Sequence, residues 1–276
     1  MSTLTINLKK FAKQLLPRRL LILLQNSRNL TKIPIDEHAA ISDMFLYRCD
    51  DNWNTYFELL NVPGLIEPTS QGKYQVHLVF FDKNGELLYQ QTVSNERYKR
   101  KTIDLKQIVI ENNLPLNGLF SCFHDRAVET ILSDGGFLTE RGYMGYVNMG
   151  ISHTKGYVHG NFDAIARYRS GKFLCLGGSF SHYCEYRLQH ELEGEADYEL
   201  SFVNTTSSKQ TYKITFIGIN GQTETTIFTI PSRGNRVYYK KMGQGERGRI
   251  VIISKVNLAR PVVFRNTTKS FDVFHG

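Results

Sequence analysis

Beyond residue 35 the chain alternates apolar and polar positions in short runs broken by turn residues. A two-residue period puts every second side chain on one face, which is the mark of a strand with one buried side. The clearest run is KYQVHLVFFDKNGELLYQQTVS, around Asn84-Gly85. A second is QTYKITFIGINGQTETTIFTIPS, around Asn220-Gly221. Asn-Gly between alternating runs predicts a tight hairpin, because both residues tolerate positive φ.

Superposing the two turns gives an offset of 136 and sets Val76, Leu78 and Phe80 over Tyr212, Ile214 and Phe216. Upstream, YFELLNV (residues 56–62) resembles YELSFVN (198–204). Downstream, GLFSCF (118–123) resembles GRIVIIS (248–254). Correspondences in one order point to an internal duplication.

Short strands at regular spacing, without long helical periodicity after residue 35, predict an all-β protein. The expected architecture is two tandem, internally similar antiparallel β-sandwich domains, residues 36–138 and 139–276. A short helix is expected at 126–132, where Ala127, Val128, Ile131 and Leu132 share a face.

Residues 1–35 form a different region, read as an N-terminal basic amphipathic helix. Leu8, Phe11, Ala12, Leu15, Leu16, Leu20, Leu23 and Leu24 recur at helical spacing, with Lys9, Lys10, Lys13, Arg18 and Arg19 between them and Pro17 as a break. The longest apolar run, Leu20 to Leu24, is far short of the roughly 20 residues that span a bilayer. Two readings follow: a helix lying on an anionic membrane surface through residues 8–24, or one docking its leucines on protein.

Charge strengthens this division. The net charge is +8, yet the first 35 residues hold seven basic side chains and no acidic one. The folded body is therefore near neutral, which argues against nucleic acid as a partner. The four cysteines, Cys49, Cys122, Cys175 and Cys184, contain no C-x-x-C pair and are expected as free thiols in the cytoplasm. Glycosylation triplets occur at Asn204 and Asn266.

Candidate chemistry concentrates where the halves meet. HDRAVETILSDGGFLTERGYMGYVNMG and YVHGNFDAIARY mix charged, aromatic and glycine residues, and the closing strands add Arg260, Arg265 and His275. The expected ligand-binding set is Arg126, Arg141, Tyr143, Tyr146, His159, Asn161, Asp163, Arg260, Arg265 and His275 at a polar junction. Tyr143, Tyr146, Tyr157 and Tyr183 are the candidates for stacking on sugar rings. The alternative is an enzyme acting on a sugar or sugar phosphate through His124, Glu140, His159 and Asp163. No H-E-x-x-H pattern, phosphate loop or dinucleotide fingerprint is present, so neither metal nor cofactor is expected.

The segments GFLTERGYMGY, YVHGNFDA and ARPVVF with SFDVFHG resemble bacterial proteins of surface-polysaccharide gene clusters, and the halves resemble the small β-sandwich of sensory rhodopsin transducer proteins. No catalytic motif accompanies this resemblance. It implies cytoplasmic work near the inner membrane, with sugar or sugar-phosphate ligands; the partners expected of the chain are a carbohydrate or protein ligand, and a homo-oligomer is compatible with them. The resulting expectation is a non-catalytic binding or assembly protein.

Overall fold

The computed structural model describes residues 40–59, 74–95, 100–124, 142–159, 162–169, 172–175, 179–206, 208–256 and 260–276. The N-terminal arm and the helix expected at 126–132 lie outside the described residues. In chain order the first elements are β1 (Ala40–Arg48), β2 (Trp53–Leu59), β3 (Tyr74–Phe81), β4 (Leu87–Asn95), β5 (Lys101–Asp104), α1 (Leu105–Glu111), β6 (Asn117–His124), β7 (Tyr143–Asn148), β8 (Ser152–His159), β9 (Phe162–Arg169) and β10 (Lys172–Cys175). They continue as β11 (Ser179–Arg187), β12 (Leu192–Glu193), β13 (Ala196–Val203), β14 (Gln210–Gly218), β15 (Thr223–Ile230), β16 (Asn235–Met242), β17 (Arg247–Val256), β18 (Val262–Asn266) and β19 (Phe271–His275).

The strands form four sheets, and every pairing among the described residues is antiparallel. Sheet I runs β10-β9-β1-β6-β3-β4, and sheet II runs β5-β2-β7-β8. Sheet III runs β11-β17-β14-β15, with β12 beside β17, and sheet IV runs β16-β13-β18-β19. Reading β11, β13, β14, β15, β16, β17, β18 and β19 as second copies of β1 to β8 turns sheet III into the order β1-β6-β3-β4 and sheet IV into the order of sheet II. The hairpins agree residue by residue. Gly85 and Gly221 both take φ 82, and their amides bond Asp82 O and Gly218 O. Phe80 pairs with Phe120 as Phe216 pairs with Ile250.

One correspondence is corrected by a residue. Tyr56 faces away from the first core, whereas Tyr198 is buried in the second. Phe57 is the inward residue on β2, packing at 5.0 Å from Phe45 and 5.2 Å from Phe120. With a two-residue period, a slip of one exchanges every side chain between faces.

One apolar cluster lies between sheets I and II around Phe45, Phe57, Phe80 and Phe120; another lies between sheets III and IV around Phe202, Tyr212 and Ile252. Separation into two sandwiches is less clean than expected. Val203, Val262, Phe264 and Val273 of sheet IV belong to the first cluster. Phe264 packs edge-on against Trp53 and Tyr146. The sheets thus stand as four blade-like packets of one body, although the chain alternates between sheets instead of completing each in turn.

The expected boundary near residue 138 is also displaced. β7 pairs with β2 and β8 with β7, and β9 and β10 extend from β1, so first-half pairing continues to Cys175 and the second half starts at Ser179. The helix α1 was hidden by its brevity. Asp104 caps it by accepting from Gln107 N at 3.2 Å, and Leu105, Ile108 and Val109 are buried. Cys49 and Cys122 are buried, and Cys184 is half-buried. Asn204 is fully buried and its amide donates to Ser208 O, Ile230 O and Pro231 O. In the folded chain it offers no glycosylation acceptor.

Candidate functional site on the outer face of sheet II

The alternation that sends Phe57 inward sends Tyr56 and Glu58 outward. Two cross-strand rows follow from the register. Tyr56 lies beside Gly145, which lies beside Tyr157. Thr102 lies beside Glu58, which lies beside Tyr143, whose backbone partner is His159.

Gly145 shapes the centre. A β-carbon there would stand 3.0 Å from the Tyr157 ring and 3.5 Å from Lys155 Cδ. Without one, the ring and the lysine stem lie down across β7. The Tyr157 hydroxyl then reaches Glu58 Oε1 at 3.4 Å, and the Lys155 ammonium sits 4.1 Å from the Tyr56 ring centroid.

Glu58 is the anchor of this face. Its side chain is only 4% exposed. Thr102 Oγ1 donates to Oε2 at 2.7 Å and Arg100 Nε at 3.0 Å, while Lys155 Nζ lies 3.6 Å from Oε1. Burial works against the carboxylate charge. The hydrogen bonds from Thr102 and Arg100, with the charges of Arg100 and Lys155, outweigh it and hold the carboxyl below the usual range. Glu58 is therefore ionised at neutral pH, suited to organising donors rather than giving up a proton.

Around this anchor the surface is aromatic and cationic. Tyr143 is 39% exposed and Tyr157 47%, and the Arg100 side chain is open to solvent. The ring faces provide rigid apolar area with a polar handle. Arg100 and Lys155 face the Glu58 carboxylate, and Asp104, paired with Tyr56, adds a second carboxylate at the edge of the face.

The residues expected at the junction distribute differently. Arg126, Glu140, Arg141 and Asn161 lie outside the described residues. Only the backbone of His124, His159 and Asp163 is described: His124 is on β6 and Asp163 on β9, both in sheet I, while His159 is on β8 in sheet II. Tyr143 lies on the face just described. Tyr146 is a correction: it is fully buried, and its hydroxyl donates to Leu46 O at 2.8 Å, so no ring face is left for a ligand. Arg265, on sheet IV, donates to Tyr198 Oη at 3.1 Å and Asp272 Oδ2 at 3.2 Å. Arg260 precedes β18, and His275 on β19 pairs across to Val262. Tyr143, Arg265 and His275 thus lie on different sheets or faces.

Tyr56, Glu58, Arg100, Thr102 and Lys155 were not among the expected site residues. Their signal was the two-residue period in YFEL and KGYVH, which places Tyr56 with Glu58, and Lys155 with Tyr157. Among the described residues no group of three or more His, Cys, Asp or Glu gathers as a metal site. Comparison with protein-family models and with curated proteins finds no match.

Proposed function

We propose that this chain is a non-catalytic binding protein whose ligand is a carbohydrate, held on the outer face of sheet II and belonging to a surface-polysaccharide pathway. The observation that carries this reading is the Tyr157 ring laid over Gly145 and tied to the ionised Glu58, next to exposed Tyr143. Such rings stack on the C–H faces of pyranoses, and Arg100 and Lys155 supply donors to an acidic sugar. Glu58 is engaged by Thr102, Arg100 and Lys155, which fits it to holding the donors of a binding face in place.

The binding face sits in the first of two duplicated sandwich units, the second serving as its buttress. The basic arm of residues 1–35 would hold the protein at the cytoplasmic surface of the inner membrane. Among the described residues no helix is long and apolar enough to cross a membrane.

The test is titration calorimetry of the full chain with an acidic oligosaccharide such as a uronate tetramer. Tyr143→Ala combined with Tyr157→Ala is expected to weaken binding roughly tenfold or more, as loss of two aromatic anchors does. Unchanged affinity in the double variant would remove this face from consideration. For the arm, co-sedimentation with phosphatidylglycerol vesicles should fall when residues 1–35 are deleted; equal binding would dismiss the membrane role.

A further inference from the structure

A second concavity lies where the halves meet, between the end of β1 and the outer face of sheet IV. It measures about 90 Å³, room for several water molecules, and its lining includes Tyr47, Arg48, Asp50, Glu199, Asn235 and Tyr239. Strand β1 supplies the first two, and β13 and β16 supply the last three. The cleft therefore exists only because sheet IV packs on the first half.

Two of its walls carry unmet hydrogen-bonding capacity. Tyr47 is fully buried and Asn235 is 7% exposed. Among the described residues nothing bonds Tyr47 Oη or Asn235 Oδ1. A buried polar atom left so costs free energy unless water or a ligand satisfies it. Both residues are among those that line this cleft.

The charged groups narrow the ligand class. Arg48 is committed on both sides, with Nε at 3.0 Å from Asp50 Oδ1 and an Nη1 at 2.9 Å from Glu199 Oε1. One guanidinium against two carboxylates leaves the lining net negative, which disfavours an anion. Acceptors predominate: Asn235 Oδ1 and the second oxygens of the carboxylates, with the Tyr47 hydroxyl as a donor. Tyr239, 68% exposed, supplies an open ring at the mouth. Acceptors for hydroxyl protons, one donor and a ring face together match a neutral polyhydroxylated molecule and no phosphate.

We propose that this junction cleft is a second ligand site, taking one neutral sugar residue edge-on, with its hydroxyls on Tyr47, Asn235, Asp50 and Glu199 and a C–H face against Tyr239. It differs from the sheet II face in place and in preferred charge, so either stands without the other.

The experiment is saturation-transfer NMR and calorimetry on the full chain with D-glucose, D-galactose, D-mannose and N-acetyl-D-glucosamine, and with glucose 6-phosphate as the anionic comparator. Tyr47→Phe keeps the ring and removes only the hydroxyl; Tyr239→Ala alters an exposed position; both retain the fold, checked by thermal melting. At least one neutral sugar is expected to bind saturably, about 3- to 10-fold more weakly in either variant. The idea is overturned if no neutral sugar binds, if glucose 6-phosphate binds more tightly than glucose, or if both cleft variants bind like wild type. A sugar-soaked crystal showing only water between Tyr47 and Asn235 would overturn it as well.

Discussion

Arg48 and Glu199 stand 151 residues apart in the chain and 2.9 Å apart in space, and the bond between them ties β1 of the first half to β13 of the second. The guanidinium also lies 4.4 Å from the Trp53 ring centroid and 5.3 Å from that of Phe264. Glu199 in turn accepts from Asn266 Nδ2 at 3.1 Å. Both side chains are mostly withdrawn from water, so deleting one partner strands the other. Arg48→Ala should destabilise by about 3 kcal/mol, through a stranded carboxylate and lost packing of the arginine stem. The double variant with Glu199→Gln should cost less than the two single changes summed. Urea denaturation of the four proteins checks this; additive losses would show that the pair is not coupled.

The twin hairpin glycines offer a matched comparison. Gly85 and Gly221 share φ 82, so alanine pays the same left-handed backbone cost, on the order of 1 kcal/mol, at either site. The surroundings differ. Nothing lies within 4 Å of a β-carbon at Gly221, but one at Gly85 would collide with Ser232 O from the other half. Gly85→Ala should therefore lower stability clearly more than Gly221→Ala, by about 1–3 kcal/mol beyond it. Equal shifts in the urea midpoint would mean that the β3–β4 turn does not bear on the second half.

Glu58 predicts an acid limb in the stability profile. Its folded pKa is below the ordinary value, so the unfolded chain takes up the proton more readily. The stabilisation is fully present above the unfolded glutamate pKa, about 4.3, and is lost as pH falls through the lower folded value. Glu58→Gln should flatten this part of the profile, as read from urea midpoints between neutral pH and about pH 3. An unchanged acid limb would show that other carboxyls set it.

The thiols should separate by reactivity. Burial pushes the Cys49 thiol up to about 12, so it holds almost no thiolate at pH 8. Cys122 is equally buried, and Cys184 is half-buried. Iodoacetamide at pH 8, read site by site by peptide mass spectrometry, should label Cys184 well before Cys49 or Cys122, with urea abolishing the difference. Early labelling of Cys49 would contradict the packing at the end of β1.

Much of this was legible in local chemistry. The Asn-Gly pairs located both hairpins, and the offset of 136 located the duplicated plan. What escaped notice was nonlocal or depended on parity. Pairing of β7 to β10 back onto β1 and β2 leaves no local signal, so glycines near residue 135 looked like a boundary. The Tyr56–Tyr198 match joined like letters across opposite faces. Parity also misled at the site: Tyr143 and Tyr146 are three apart on one strand and so face opposite ways, one to solvent and one to the core. Glu58 gave no local signal because its partners Arg100, Thr102 and Lys155 lie over 40 residues away in the chain.

Because Val262, Phe264 and Val273 of sheet IV fill the cluster beneath Trp53 and Tyr146, severing the chain between Cys175 and Ser179 would bare complementary oily seams on two fragments. Neither piece would keep well alone in water, yet each carries the mould of the other. Produced together they should rejoin, which makes that junction a natural place to split the protein into a reporter pair.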